Sequence, residues 1–277
     1  MKPIQLLDRT DGARVQYVCT DIDDTLTRDG RLPSEAYSAL WDLHDAGIRV
    51  IPVTGRPAGW CDLIARQWPV DAVVGENGAL AFYMEDRHLR HLYHPSADRE
   101  QAAKLLAGLR RRVLSEVAGS RVAKDQFSRM FDLAIDFREE PPDLGFEAAQ
   151  RIASVCRDMG AQAKISSIHV NAWFGHYTKV DMLEHYLTHR RGLDPATQQR
   201  VVVYCGDSPN DEPMFAFFTH SFGVANVRGF LPQMKSHPTT ITQAEAGAGF
   251  TEVVDSILRD RQAVDPRPIM ETTAGKA

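Results

Sequence analysis

The feature that most restricts the fold of this chain is an alternation of short apolar segments with amphipathic ones near its start. The apolar segments are "RVQYVCT", "IRVIPVT" and "DAVVGENG", and the segments between them are "PSEAYSALWDLHDAG" and "PAGWCDLIARQW". Short apolar runs bounded by turn residues are typical of buried strands, whereas apolar residues three or four positions apart are typical of helices. The order β-α-β-α-β predicts a parallel sheet with helices on its faces.

This alternation stops after residue 78 and returns near residue 177. Between these points the pattern predicts a hairpin, a long helix, a strand, a second helix and a last strand, which is an α+β order. The later part adds the strands "RVVVYCGD" and "SFGVAN" and the helix "FTEVVDSILRDR". We therefore predict a discontinuous α/β domain formed by residues 1–82 and 174–262. An α+β domain is inserted at residues 83–173, and residues 263–277 form a flexible tail.

The composition excludes several classes of protein. Of the 277 residues, 43% are hydrophobic and 25% are charged, as in ordinary globular proteins. The net charge of -5 argues against a nucleic-acid partner, and no apolar run is long enough to span a membrane. The N-terminal segment is charged where a signal peptide needs an apolar stretch, so we expect a cytoplasmic protein. The four cysteines form no CxxC pair, which predicts reduced thiols, and the oligomeric state stays open.

An acidic cluster follows the first predicted strand. Asp21 and Asp23 lie in "DIDDT", where a capped turn would explain one acidic residue. Two carboxylates held close together repel each other, however, and favour a bound cation. Because the carboxyl ends of parallel strands meet at one edge of a sheet, Asp207 in "GDSPND" is expected at the same place. Carboxylate oxygens are typical ligands of Mg²⁺, which we predict as the cofactor.

Two further segments can bind an anion at this edge. The turn "VTGRP" contains Thr54, Gly55 and Arg56, whose hydroxyl, amides and guanidinium suit phosphate oxygens. Ordinary turn chemistry explains this segment equally well when it is considered alone. Lys179 is predicted at the start of a helix, where the helix dipole disfavours a cation, and this position indicates a negative group nearby.

Taken in chain order, "DIDDT", "VTGRP", Lys179 and "GDSPND" resemble the four motifs of the haloacid dehalogenase superfamily. The insertion resembles the large α+β cap of the subgroup with Cof-type sugar phosphatases, sucrose-phosphate phosphatase, mannosyl-3-phosphoglycerate phosphatase and phosphomannomutase. The resemblance implies an α/β fold, a Rossmann-like doubly wound parallel sheet with an inserted α+β cap. Many relatives have Gly in place of Asp24, whose side chain we expect to cap the following turn.

The resemblance also implies a function. It indicates a Mg²⁺-dependent phosphatase that hydrolyses a small phosphorylated metabolite, either a sugar phosphate or a phosphorylated glycoside. Asp21 matches the nucleophile that forms an aspartyl-phosphate, and Asp23 matches the acid that protonates the leaving oxygen and later activates water. Thr54 and Lys179 match the catalytic groups that hold the phosphoryl oxygens.

The metal ligands and substrate contacts are implied in the same way. The implied Mg²⁺ ligands are Asp21, the backbone carbonyl of Asp23 and Asp207, with Asn210 and Asp211 in support. In "SSIHVNAW" the period of two places His169, Asn171 and Trp173 on one face of a cap strand. Any one of them alone is better explained by ordinary structure, Trp173 as a core residue and His169 as a solvated edge residue. The candidate substrate-binding residues are Thr54, Gly55, Arg56, Asn77, His169, Asn171 and Lys179.

Two other functions remain open. A phosphosugar mutase of the phosphomannomutase type would return the phosphate to the sugar, so that isomerised sugar phosphate forms without net release of phosphate. A non-catalytic module that binds a phosphorylated ligand would show no turnover on any phosphorylated metabolite. The letters DxDD also occur in class II terpene cyclases, but the strand-and-helix alternation argues against that all-helical class.

Overall fold

A computed structural model describes residues 12, 14–166 and 168–264 of the chain. The predicted tail, residues 263–277, lies outside the described residues from position 265 onward, and positions 263 and 264 end the last helix. The strands are β1 Tyr17–Thr20, β2 Arg49–Pro52, β3 Val73–Gly75, β4 Leu80–Glu85, β5 His88–Tyr93, β6 Arg121–Val122, β7 Asp132–Asp136, β8 Gln162–Ile165, β9 His169–Trp173, β10 Val202–Gly206, β11 His220–Gly223 and β12 Thr240–Ile241. The helices are α1 Ser34–Asp45, α2 Ala58–Gln67, α3 Arg99–Glu116, α4 Gly145–Asp158, α5 Lys179–Arg191, α6 Pro195–Val201, α7 Glu212–Phe217 and α8 Ala246–Val264.

A parallel sheet of five strands forms the centre of the molecule, in the order β12-β11-β10-β1-β2. Its strands are buried on both faces, because β1 directs Val18 toward α1, α2 and α8 and directs Cys19 toward α5 and α7. This arrangement confirms the predicted doubly wound α/β class. It also places the carboxyl ends of β1 and β10 side by side, since Thr20 is paired with Cys205.

The third predicted strand has a different role from the one expected. β3 joins the central sheet through a single parallel bridge between Val53 and Val74, and it then pairs antiparallel with β4. β4 and β5 form the predicted hairpin. The predicted boundary at residue 83 therefore falls inside β4, and Tyr83 packs against Tyr186 of the core helix α5. The exact division between the domains stays a prediction.

The inserted segment contains a separate antiparallel sheet in the order β6-β7-β9-β8. One face of this sheet is apolar and packs on α3 and α4. The other face is polar, since β7 and β9 place Asp132, His169 and Asn171 on it, and all three side chains are buried. Phe131 and Trp173 at this end of the sheet belong to the core's own apolar cluster, so the polar face lies toward the core.

Two other expectations concern the chain as a whole. The four cysteines are free and buried, as predicted. Among the residues that the structure describes, no helix is long and apolar enough to cross a membrane.

Candidate active site

The carboxylates predicted to meet at the sheet edge do so. Asp21 follows β1 and Asp207 follows β10, and these strands are hydrogen-bonded neighbours. Carboxylate oxygens of Asp21, Asp207 and Asp211 all lie within 4.8 Å of one another, and the three side chains are buried. Burial raises the pKa of Asp21 to about 7, although the charge of Lys179 acts in the opposite direction. Burial, together with Asp211 and Asp21, also raises the pKa of Asp207 well above its usual range. Such a group of carboxylates favours a bound cation.

Lys179 is the first residue of α5, as predicted, and its ammonium reaches into the acidic cluster. Its Nζ lies 2.9 Å from Oδ1 of Asp21 and 3.5 Å from Oδ1 of Asp211. Burial by itself would lower the pKa of Lys179, but the charges of Asp21 and Asp211 raise it overall. The lysine therefore stays charged beside the proposed nucleophile. The negative group that its position indicated is this pair of carboxylates.

Asp211 supports the loop and the lysine, because its oxygens are engaged by hydrogen bonds. Oδ1 accepts a 2.6 Å bond from the Tyr204 hydroxyl, and Oδ2 accepts from the backbone N–H groups of Asp207 and Ser208 at 3.0 and 3.2 Å. The side chain of Asn210 is half-buried. It forms no hydrogen bond with any part of the chain that the structure describes. These contacts favour a supporting role for Asp211 and leave the role of Asn210 a prediction.

Asp207 is held from two sides by residues that sequence reasoning missed. The Thr25 hydroxyl donates a 3.1 Å bond to Oδ1, and the Asn226 amide donates a 3.4 Å bond to Oδ2. The same amide donates to the backbone carbonyl of Asp24 at 2.9 Å, so it links the two acidic loops. Asn226 follows β11, and the rule that placed Asp21 and Asp207 at strand ends would have found it.

Asp23 contacts Arg56 through a two-pronged ion pair. Nη2 and Nε of Arg56 lie 2.6 and 3.0 Å from the two carboxylate oxygens. The guanidinium also stacks over the ring of Trp60, with 4.4 Å between Cζ and the ring centroid. Arg56 therefore contacts Asp23 in this structure, whereas the sequence assigned it to the substrate.

The expectation for Asp24 was wrong. Its side chain caps nothing among the described residues, and its backbone N–H instead donates a 3.2 Å bond to the Thr27 hydroxyl. The backbone has a φ of 57°, which lies in the left-handed region. Glycine adopts this conformation most easily, so the side chain of Asp24 makes the backbone strained at this position.

The turn from Thr54 to Arg56 is bound to the segment after β3. Thr54 is fully buried, and its hydroxyl accepts a 3.0 Å bond from the Arg56 N–H. The backbone N–H of Asn77 donates to the Thr54 carbonyl at 3.2 Å. A Cβ on Gly55 would lie 3.1 Å from Oδ1 of Asn77, so the two residues are in close contact. Nδ2 of Asn77 is buried and has no hydrogen-bond partner among the described residues.

Glu76 connects this segment to the cap, and nothing in the sequence indicated it. Its carboxylate accepts hydrogen bonds from the backbone N–H of Ala58 at the start of α2 and from those of Met130, Phe131 and Asp132, at 2.6–3.2 Å. Glu76 is fully buried. Burial, followed by the charge of Asp132, raises its pKa to about 7, while the bonds from Met130, Phe131 and Ala58 act in the opposite direction.

Arg129 forms a second connection between cap and core. Its guanidinium forms ion pairs with Asp125 and Asp132 at 2.8 and 3.0 Å and donates a 3.2 Å bond to the carbonyl of Gly55. The cap is therefore joined directly to the turn from Thr54 to Arg56. Asn171 continues this network, because its amide donates a 3.1 Å bond to Asp132.

The cap residues predicted to bind substrate share one face of the cap sheet. His169 is buried, not solvated, and its Nε2 lies 2.8 Å from a carboxylate oxygen of Glu139. Trp173 belongs to the core, as the simpler interpretation had it. Lys164, which sequence reasoning missed, is paired in register with Asn171 on the neighbouring strand. The charges that act on it are those of Lys179, Asp211 and Asp21.

The residues present fit a Mg²⁺ ion. Asp21 and Asp207 offer carboxylate oxygens close together, and one buried ammonium leaves the three-carboxylate group with an excess of negative charge. Oxygen donors and incomplete protein ligation are what Mg²⁺ prefers, since it retains water and substrate oxygens in its shell.

Comparison with known proteins agrees with this geometry. Residues 18–125 match the family model of the haloacid dehalogenase-like hydrolases. This match covers less than half of the chain. Over the whole chain the similarity to solved HAD/Cof-like hydrolases is one of fold. No curated protein matches the sequence significantly.

Several solved structures share the whole architecture. One is a putative HAD/COF-like hydrolase from Plasmodium vivax, with a TM-score of 0.66 and 17% identity over 91% of this chain and 98% of that one. Another is a subclass IIB sugar phosphatase, with a TM-score of 0.60 and 14% identity over 88% and 98%. A third is the sucrose-phosphatase from Synechocystis sp. PCC6803 in complex with sucrose and phosphate. It has a TM-score of 0.60 and 14% identity over 88% of this chain and 98% of that one. At these identities the similarity concerns the fold.

Proposed function

We propose that this protein is a Mg²⁺-dependent phosphatase that hydrolyses a small phosphorylated metabolite, either a sugar phosphate or a phosphorylated glycoside, through an aspartyl-phosphate. The observation that carries the proposal is the buried group in which Asp21 lies between Lys179 and Asp207 at adjacent strand ends. The sugar phosphatase and the sucrose-phosphatase with the same fold support the substrate class.

We assign each step of this proposed reaction to a side chain. An Asp21 oxygen attacks phosphorus, the bond to the leaving oxygen breaks, and Asp23 donates its proton to that oxygen. Asp23 then takes a proton from water, whose oxygen attacks the same phosphorus, so that phosphate leaves and Asp21 is regenerated. Arg56 fixes the orientation of the Asp23 carboxylate through its two-pronged contact. Lys179 offsets the negative charge that develops on the phosphoryl oxygens.

The metal site has a defined place in this scheme. Asp21, Asp207 and the backbone carbonyl of Asp23 would hold Mg²⁺, which supplies positive charge against the phosphoryl oxygens when bound. Thr25 and Asn226 orient the Asp207 carboxylate, and Asp211 keeps Lys179 in position. Thr54 is the remaining phosphate-binding candidate, through its hydroxyl and the backbone of its turn.

The test is release of inorganic phosphate from p-nitrophenyl phosphate and from a panel of sugar phosphates in the presence of Mg²⁺. Asp21→Asn should abolish turnover, and Asp23→Asn should lower kcat by about 10²–10⁴-fold because general acid and base catalysis is lost. The matched control is Asp62→Asn, an exposed carboxylate on α2 whose loss should leave the rate unchanged. Full activity in Asp21→Asn would contradict the assignment of the nucleophile. Isomerised sugar phosphate without phosphate release would show the mutase instead.

A further inference from the structure

Some cations around the cleft form ion pairs with carboxylates of the chain, and among the described residues Lys164 does not. Lys179 is paired with Asp21, and Arg56 is paired with Asp23. Arg129 in the cap is paired with two carboxylates. Lys164 is half-buried in β8, and its ammonium has no hydrogen-bond or ion-pair partner in residues 14–166 and 168–264.

The position of Lys164 directs it toward the cleft. It is opposite Asn171 in the β8–β9 ladder, so both side chains leave the sheet on its polar face. The apolar face, by contrast, carries Ala163 and Ile165, which pack with α4. The charges that act on the pKa of Lys164 are those of Lys179, Asp211 and Asp21 on the core side of the cleft. Lys164 thus faces the acidic cluster from the cap.

An ammonium in such a place destabilises the free protein. Burial, followed by repulsion from Lys179, lowers the pKa of Lys164 to about 8, and the attraction of Asp211 and Asp21 only partly offsets these effects. Charged side chains that are withdrawn from water are normally paired. A bound anion would restore the missing partner.

We propose that Lys164 binds a single anionic group, such as a carboxylate, on the leaving group of the substrate. This inference rests on the proposed function and narrows its substrate class to phosphorylated sugar acids and related organic acids. Lys179 and the metal site serve the phosphoryl group on the core side, whereas Lys164 lies on the cap, where the remainder of the substrate must lie. A single unpaired ammonium matches one additional negative charge, such as that of a carboxylate, through a charge-assisted hydrogen bond.

The experiment compares two phosphate esters that differ only in this group. 6-Phosphogluconate has a carboxylate where sorbitol 6-phosphate has a hydroxymethyl group. Their dissociation constants are measured by calorimetry with Mg²⁺ on Asp21→Asn, which binds without turnover. We expect 6-phosphogluconate to bind at least about tenfold more tightly, as one charge-assisted contact provides. In Asp21→Asn with Lys164→Met the two compounds should bind equally well.

Two matched variants separate this role from a general effect of charge. Lys164→Arg should keep the preference for 6-phosphogluconate, and so should Lys104→Met, which removes an exposed lysine of α3. In the absence of ligand, Lys164→Met should melt at a higher Tm than the wild type, because it removes an unpaired ammonium. A structural role for Lys164 would lower the Tm instead.

The outcomes are decisive in each arm. The proposal is overturned if Asp21→Asn binds both compounds equally well or binds neither. It is also overturned if the preference for 6-phosphogluconate survives the added Lys164→Met substitution. Selective binding without turnover in the wild type would support Lys164 as the anion site while refuting the phosphatase. Release of phosphate by the wild type without selective binding of 6-phosphogluconate would support the phosphatase and refute Lys164 as the anion site.

Discussion

The carboxylate of Glu76 should make a large contribution to the free energy of unfolding, because it accepts four backbone hydrogen bonds. The substitution Glu76→Gln keeps the shape of the side chain but replaces one acceptor oxygen with an NH₂ group. Four backbone N–H groups donate to the two oxygens, two to each: Ala58 and Met130 to Oε1, Phe131 and Asp132 to Oε2. Two buried donors therefore lose their acceptor, and each such loss costs about 1–3 kcal/mol.

The expected loss in the free energy of unfolding is about 2–6 kcal/mol, a large share of the roughly 5–15 kcal/mol typical of a folded protein. The measurement is urea unfolding at pH 8.5, where the Glu76 carboxylate, with its pKa of about 7, is ionised. The control is Glu85→Gln, whose exposed carboxylate pairs with Arg90 and Arg190 at the surface and should contribute less than about 1 kcal/mol. If Glu76→Gln unfolds at the same urea concentration as the control, the carboxylate does not hold the cap to the core.

Four further predictions follow from other contacts. Removal of divalent metal with EDTA should abolish phosphate release, and added Mg²⁺ should restore it. Gly78→Ala should lower stability by about 1–3 kcal/mol and also reduce kcat, because its Cβ would lie 2.1 Å from the carbonyl oxygen of Thr178, next to Lys179, the proposed phosphate-binding residue. Arg56→Lys keeps the charge but loses the two-pronged contact to Asp23, so kcat/KM should fall about tenfold, or about 1.4 kcal/mol, with unchanged Tm as the control. Between pH 8 and pH 10 the wild type should gain about 2–3 kcal/mol in the free energy of unfolding relative to Lys164→Met, measured by urea unfolding. The folded protein has a lowered pKa at Lys164, so it loses this proton at a lower pH than the unfolded chain does. Deprotonation removes the cost of the buried, unpaired ammonium.

The local elements of this fold were accessible from the sequence because they depend on short-range periodicity. The strand before Asp21 and the helix that begins at Lys179 were both found in this way. The meeting of Asp21 and Asp207 also followed, since parallel strands bring their carboxyl ends to one edge. β3 was assigned only partly correctly, because its transfer to an antiparallel partner depends on the hairpin that follows it.

The partners of individual side chains were not accessible. Arg56 was assigned to the substrate, and only the folded structure shows that its guanidinium contacts Asp23. Glu76 accepts hydrogen bonds from residues more than fifty positions away in the cap, and no local pattern in the sequence indicated these partners. Such contacts depend on how two separately folded layers approach each other, and no periodicity in the sequence records that approach.

The sequence by itself thus determined the class of fold, the order of the motifs and the sheet edge at which the chemistry lies, because hydrophobic pattern and strand direction are properties of the chain. The tertiary structure alone decided which charges are neutralised. Asp21 and Lys179 satisfy each other, whereas Lys164 faces the same cleft without a partner. An ion pair requires the two charged groups to lie within about 4 Å of each other, so the pairs form only when the cap and the core are in place.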